Sequence, residues 1–301
     1  MIKLKTFGSF TVGNGLTSVQ EGAWRSEKLE KLFVYLAMNR NRGVCIEDIS
    51  EAIWQVEEET DNPVGALKNL AYRLRKALRD ASFGEECIVS VRGGLYKWND
   101  DVEVTIDVEE FDRYINEAEM AFCRSKETAI ESYEKAIALY HGDFLPLRTD
   151  THWFMTLNAF YHSRYVNTVK ALAKLYIDTG CYEKLEQLCT RAIVYERSDE
   201  QIYSYLIVAR MRTKKVQMAF DTYETAKAIM DKDLGVRKTV MLNKVYEELL
   251  SVTKGVSSYN IDEVKDDISE ESMEGVFMCG YPVFKEIYHL EVRKSARSTV
   301  P

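Results

Sequence analysis

The sequence lacks the patterns that mark most enzymes and metal proteins. Its 301 residues contain no GxxxxGK[ST] phosphate loop, no GxSxG turn and no HExxH pair, so no nucleotide-hydrolysing, serine-hydrolase or zinc-protease chemistry is written in it. Six cysteines stand at 45, 87, 123, 181, 189 and 279 without a CxxC spacing, and none has one of the four histidines (141, 152, 162 and 289) at metal-ligand spacing. That scatter gives neither a zinc site nor a disulfide framework, and the thiols are expected to be reduced and mostly buried. No apolar run approaches the ~20 residues needed to span a membrane. The chain opens as a strand, Met1-Ile2-Lys3-Leu4, rather than as a signal peptide. The expectation is a cytoplasmic protein with no membrane segment, no cofactor, no metal and no enzymatic activity.

What is present is a globular composition, 46% hydrophobic and 29% charged, long enough for two domains. The formal net charge is -8, which by itself argues against a nucleic-acid partner. The acid is unevenly placed, however. Between Asn62 and Trp98 seven cations (Lys68, Arg73, Arg75, Lys76, Arg79, Arg92, Lys97) face three anions (Asp80, Glu85, Glu86). Attraction to phosphate depends on such a local patch more than on the total.

The same stretch has a legible shape. Leu67, Leu70, Ala71, Leu74, Leu78 and Ala81 recur at helical spacing, with Asn62 as cap and Pro63 at the first helical position. Asn69, Tyr72, Lys76 and Asp80 then lie opposite the apolar face, Lys68, Arg73 and Arg79 flank them, and Arg75 sits nearer the core. Ile88–Arg92 and Leu95–Trp98 around Gly93-Gly94 read as a tight hairpin tipped with Arg92 and Lys97. A helix of this kind suits a major groove, and a hairpin suits phosphates or a minor groove.

Before it, residues 2–14 alternate as two short antiparallel strands, and Ser26 caps a helix with Leu29, Leu32, Phe33, Leu36 and Ala37 inward. A short extended piece follows at 44–46, then a helix from Glu47 to Trp54 and an acidic loop at 57–61. After a linking strand near Val102 and a helix start at Asp107, the chain reads as almost wholly helical. Leu175, Gly180, Tyr182, Leu185, Cys189 and Ala192 recur 34 residues later as Ala209, Lys214, Val216, Ala219, Tyr223 and Ala226. That period is the signature of tetratricopeptide helix pairs, although Lys214 replaces the turn glycine and the customary proline is missing.

The order strand, strand, helix, short strand, helix, helix, hairpin is that of a winged helix. The run Leu70-Ala71-Tyr72-Arg73-Leu74-Arg75-Lys76-Ala77-Leu78 with Gly93-Gly94-Leu95-Tyr96 behind it resembles the OmpR-type DNA-binding domain. Ala136-Ile137-Ala138-Leu139-Tyr140-His141-Gly142-Asp143-Phe144-Leu145, with Leu234-Gly235-Val236, is similar to the bacterial transcriptional activator domain. The pair, spanning about 1–252, resembles the Streptomyces antibiotic regulatory proteins.

The fold class expected is mainly α: an N-terminal OmpR-type winged helix (1–104) followed by an all-α tetratricopeptide-like activator domain (105–252). An acidic, serine-rich linker (253–275) and a short tail (276–301) follow, the tail reading either as the first strand and helix of a truncated further domain or as a segment that docks on the helical array or on a second subunit. The resemblance implies a sequence-specific activator of transcription that binds promoter repeats in double-stranded DNA and recruits RNA polymerase. By resemblance Arg73 matches a base-reading position and Arg75 a phosphate-contacting one, while Tyr72 stands where the family often has a cation or a small polar group. The candidate DNA-binding set is Lys68, Asn69, Tyr72, Arg73, Arg75, Lys76, Arg79, Arg92 and Lys97. The helical array would supply contacts to a second copy in a homodimer, to polymerase, or a ligand groove. The rival reading, favoured by the net charge and by Tyr72, is a protein-binding adaptor whose winged helix no longer binds DNA.

Overall fold

The computed structural model describes residues 1–55, 62–83, 87–91, 94–234, 239–256 and 287–292. The chain divides into two compact units, Met1–Ser251 and Val252–Pro301. In the second, residues 287–292 are helical, and so are residues 253–256, the expected start of the linker, which end the last long helix of the chain; the rest of the acidic linker and of the tail lie outside the described residues.

The first unit begins with β1 (Ile2–Lys5), β2 (Thr11–Gly13) and β3 (Ser18–Gln20). β1 buries Ile2 and Leu4 and exposes Lys3 and Lys5, as alternation demands. β1 and β2 pair antiparallel, as their sequence suggests, with Leu4 opposite Val12. β3, which carries only Val19 as an apolar signal, adds a third strand against β2. The fourth is β6 (Val104–Ile106), parallel to β1 with Leu4 opposite Ile106, giving the order β3-β2-β1-β6.

Helices α1 (Glu27–Met38), α2 (Ile46–Ile53) and α3 (Pro63–Asp80) come next, then the hairpin β4 (Ile88–Val91) and β5 (Leu95–Trp98). α2 buries Ile49, Ala52 and Ile53. Val44 is the short extended piece; its N–H and carbonyl both bond Tyr96 of β5. Ser26 sits at the N-cap of α1 without a side-chain capping bond.

From β6 the chain is helical: α4 (Asp107–Ala121), α5 (Lys126–Leu139), α6 (His152–Thr179), α7 (Tyr182–Tyr195), α8 (Glu200–Arg212), α9 (Val216–Leu234) and α10 (Val240–Val256). From α4 to α9 each helix packs on the next, and the repeated positions Leu185, Cys189, Ala192, Ala219 and Ala226 are all fully buried. The repeat also has a backbone counterpart. Gly180 ends α6 at φ 72°, and Lys214 takes the equivalent left-handed position at φ 61°.

One hydrophobic core runs without a break from Ile2 and Leu4 through α1–α6 to Leu206 and Ala209, and a second gathers around Tyr203, Tyr223 and Leu249. The joint between the winged helix and the helical array lies inside the first. Thr6–Gly8 threads into the array: Phe7 bridges Phe144, Gly8 N–H donates to the Asp143 carbonyl at 2.9 Å, and Leu145 N–H to the Thr6 carbonyl at 2.9 Å. Asp107, read as a cap from sequence, is the first residue of α4. Its carboxylate accepts from Thr6 N (2.7 Å), Thr6 Oγ1 (2.6 Å) and Phe7 N (2.9 Å). Burial pushes its pKa up, and these bonds pull against that.

Candidate nucleic-acid interface

Helix α3 is started by chemistry readable from its first residues. Asn62 accepts from Gly65 N at 2.8 Å, and Pro63 occupies the first turn where no amide is needed. Leu67, Leu70, Ala71, Leu74 and Leu78 are buried at 5% exposure or less. The opposite face therefore has to look outward. Lys68, Asn69, Tyr72, Arg73, Lys76 and Arg79 are all exposed, and Tyr72 retains 65% of its surface. A large aromatic that open to water, flanked by an arginine and a lysine, offers ring contact and charge on one face.

The far end of α3 is held by residues that sequence reasoning passed over. In the turn between β2 and β3, Asn14 Nδ2 donates to the Ser82 carbonyl at 3.1 Å and Thr17 Oγ1 to the Ala81 carbonyl at 3.0 Å. These bonds take up carbonyls at the helix end, the groups a helix leaves unpaired. The only sequence trace of them was the Gly13-Asn14-Gly15 turn.

Arg75 behaves differently from its neighbours. It is half-buried, and its Nε donates to the Ile88 carbonyl at 3.0 Å, tying α3 to the first strand of the hairpin. Its charge also opposes the burial that pushes the Tyr96 hydroxyl pKa up. Lys97 is not at the hairpin tip: it lies opposite Val89, two pairs away from the closing pair Val91–Leu95, and its Nζ is 2.5 Å from Asp100 Oδ2. The reason is register, since Ile88 pairs with Trp98 and places Lys97 toward the strand ends. Gly94, at φ 81°, supplies the positive angle of the turn. Arg92 and Gly93 lie outside the described residues. The structure thus gathers Lys68, Asn69, Tyr72, Arg73, Lys76 and Arg79 on one helix, with Arg75 and Lys97 engaged in contacts of their own.

Residues 106–250 match the family model described as the bacterial transcriptional activator domain. The match spans β6 to α10, so it is the helical array that resembles this domain. A curated relative, the transcriptional regulator RedD of Streptomyces coelicolor, is 23% identical over 238 residues, which are 78% of this chain and 67% of RedD. Among solved structures, Mycobacterium tuberculosis EmbR, determined in complex with a low-affinity phosphopeptide, superposes with a TM-score of 0.63 at 19% identity. That match covers 83% of this chain and 65% of the EmbR chain, so this chain spans about two thirds of the length of either relative. The EmbR likeness establishes a shared fold over most of this chain.

Proposed function

We propose that the protein is a non-catalytic transcriptional regulator that binds double-stranded DNA sequence-specifically and activates transcription. The observation that carries this is the outward face of α3. It is a rigid, capped helix whose exposed side chains are cationic, amide and aromatic. Side chains of these types recognise base edges in a major groove: an arginine pairs bidentately with guanine, an asparagine with adenine, and an apolar ring with the thymine methyl. In this reading Arg73 and Asn69 contact bases, Tyr72 packs on them, and Lys68, Lys76 and Arg79 hold phosphates, with Arg92 and Lys97 serving the hairpin. Arg75 positions α3 against the hairpin. The helical array then carries the contacts to RNA polymerase and between copies, and the protein works in the cytoplasm.

RedD is named a transcriptional regulator, and the family model names an activator domain; both support the reading. The test is binding of the purified chain to DNA from upstream of its own gene, against scrambled DNA, at two salt concentrations. Preference for the native sequence, with affinity falling steeply with salt as several phosphate contacts require, is the expected result. Weak, sequence-independent binding would transfer the function to the helical array as a protein-binding adaptor.

A further inference from the structure

Where α1 and α2 meet the start of α6, the packing leaves an open cleft of about 510 Å³. Its floor is aromatic. Tyr35 of α1 is 3% exposed, and Trp153 of α6 stands edge-on to it with ring centroids 4.8 Å apart. Leu157 continues the apolar wall along α6. The rim is charged: Asp48 and Glu51, one turn apart on α2, face it together with Arg42.

Three features of this cleft call for an occupant. Its volume falls within the 300–1,000 Å³ or so typical of small-molecule sites, and such sites favour the seams between packed domains. The Tyr35 side chain lines the cleft with nearly all of its surface buried, and its hydroxyl, without a protein hydrogen-bond partner among the described residues, is open to the cleft. A hydroxyl held in place by a buried ring and open to a cleft is available to a bound molecule. Burial, with the charges of Asp48 and Glu51, pushes its pKa up against the pull of Arg42, so it keeps its proton and can donate as well as accept. The charge balance is also biased. Two carboxylates outnumber one guanidinium, and Arg42 already spends its Nε on Asn39 Oδ1 at 3.2 Å.

We propose that this cleft is a binding site for a small organic amine. The ammonium group sits at Asp48 and Glu51, the apolar body lies on Trp153 and Leu157, and a polar atom of the ligand meets the Tyr35 hydroxyl. An aromatic floor beneath a carboxylate rim suits a cation with an apolar body, because the ring face attracts positive charge as well as apolar surface. The site lies beside bonds that join the winged helix to the array. Thr151 Oγ1 donates to the Ala52 carbonyl and Gln55 Nε2 to Asp150 Oδ2, each at 2.8 Å. A ligand held by both α2 and α6 stiffens that joint.

The test uses the full chain without DNA, so its outcome is independent of the proposed DNA binding. The probes are 2-phenylethylamine and tryptamine, with phenylacetate and 2-phenylethanol as charge-reversed and neutral comparators. Binding is read by saturation-transfer NMR and by tryptophan fluorescence. The amines are expected to bind saturably and the comparators at least tenfold more weakly. The double variant Asp48→Asn/Glu51→Gln, at two exposed positions, should lose at least tenfold for the amines. Thr156→Arg, an exposed position on the α6 wall, should abolish binding while circular dichroism confirms the fold. Non-saturable signals, equal binding of 2-phenylethanol, or amine binding unchanged in both variants would overturn the proposal.

Discussion

Helices α1 and α3 belong to the same small domain and handle charge in opposite ways. α1 buries every residue from Leu29 to Ala37, including Glu30 at 1% exposure and Lys31 at 2%. α3 buries only its apolar stripe and turns Lys68, Arg73, Lys76 and Arg79 outward. The difference comes from what covers each helix. The outer side of α1 is capped by the segment that leads into α6. There Arg148 Nη2 meets Glu30 Oε2 at 2.5 Å, with Glu27 at 3.3 Å and Glu21 at 3.4 Å, and Lys31 pairs with Asp150. Nothing among the described residues covers the outer side of α3. Charge enclosed at a joint fixes two parts of a protein relative to each other. Charge left on a solvated face is available to a partner.

The sharpest way to break this contrast is Arg148→Ala. It leaves the Glu30 carboxylate enclosed without its cation, and stripping one member of a buried pair costs about 3–5 kcal/mol. Denaturant unfolding should show that loss, and Arg148→Met combined with Glu30→Leu should recover much of it. A loss under about 1 kcal/mol would mean the pair is not enclosed.

Gly8→Ala tests the second contact at the same joint. Gly8 sits at φ 82°, and an added Cβ would lie 2.6 Å from the His141 carbonyl oxygen. Strain of that kind plus a backbone clash should cost about 2–3 kcal/mol. The same change at Gly15, with open space around its Cβ position, should cost less, which isolates the clash from the strain.

On the other side of the comparison, Arg73→Ala should leave the unfolding midpoint unchanged. It should weaken binding to the preferred DNA by about 1–3 kcal/mol and relax the preference at one base step. Lys76→Ala should weaken all sequences alike and flatten the salt dependence. Identical losses for both variants on every sequence would remove the distinction between base and phosphate contacts.

A smaller effect tests charge inside the helical array. His162 lies between Asp143 (Nδ1, 2.8 Å) and Glu196 (Nε2, 3.1 Å). The bond to Asp143, then that to Glu196, raises its pKa to about 9 against the cost of burial. A raised pKa in the folded state means the stabilisation is complete below the ordinary value of 6.5 and disappears as pH rises through about 9. The wild type should therefore lose about 1 kcal/mol more than His162→Gln between pH 7 and pH 10, once partial exposure is discounted. Parallel stability curves would show that the histidine is neutral throughout.

The smallest effect is a gain. Lys214 holds φ 61° where the matching position of the repeat has glycine, so Lys214→Gly should raise stability by about 0.5–1 kcal/mol. No change in melting temperature would mean that the lysine side chain compensates locally.

Much of this was legible along the chain. The stripe from Leu67 to Leu78 defines α3 and its exposed face, because helical periodicity is a local property. The 34-residue recurrence likewise marks the helix pairs, down to the left-handed residue between them. The strands with one clear inward face, β1 and β2, were readable for the same reason. β3 was not, since three residues with one valine carry almost no signal until a neighbouring strand pairs with them.

What the order of amino acids determined by itself is therefore the local grammar: which segments are helices, which side each turns inward, and where the cations fall on α3. What only the tertiary structure decided is which charges are enclosed and which are offered. Glu30 and Lys31 look like solvent-facing residues of an amphipathic helix until Arg148 and Asp150, more than a hundred positions later, close over them. Arg75 and Lys97 look like free cations until Ile88 and Asp100 engage them. Periodicity assigns a side chain to a face of its own element. Whether that face meets water or protein depends on packing between elements distant in sequence, and no local pattern records it.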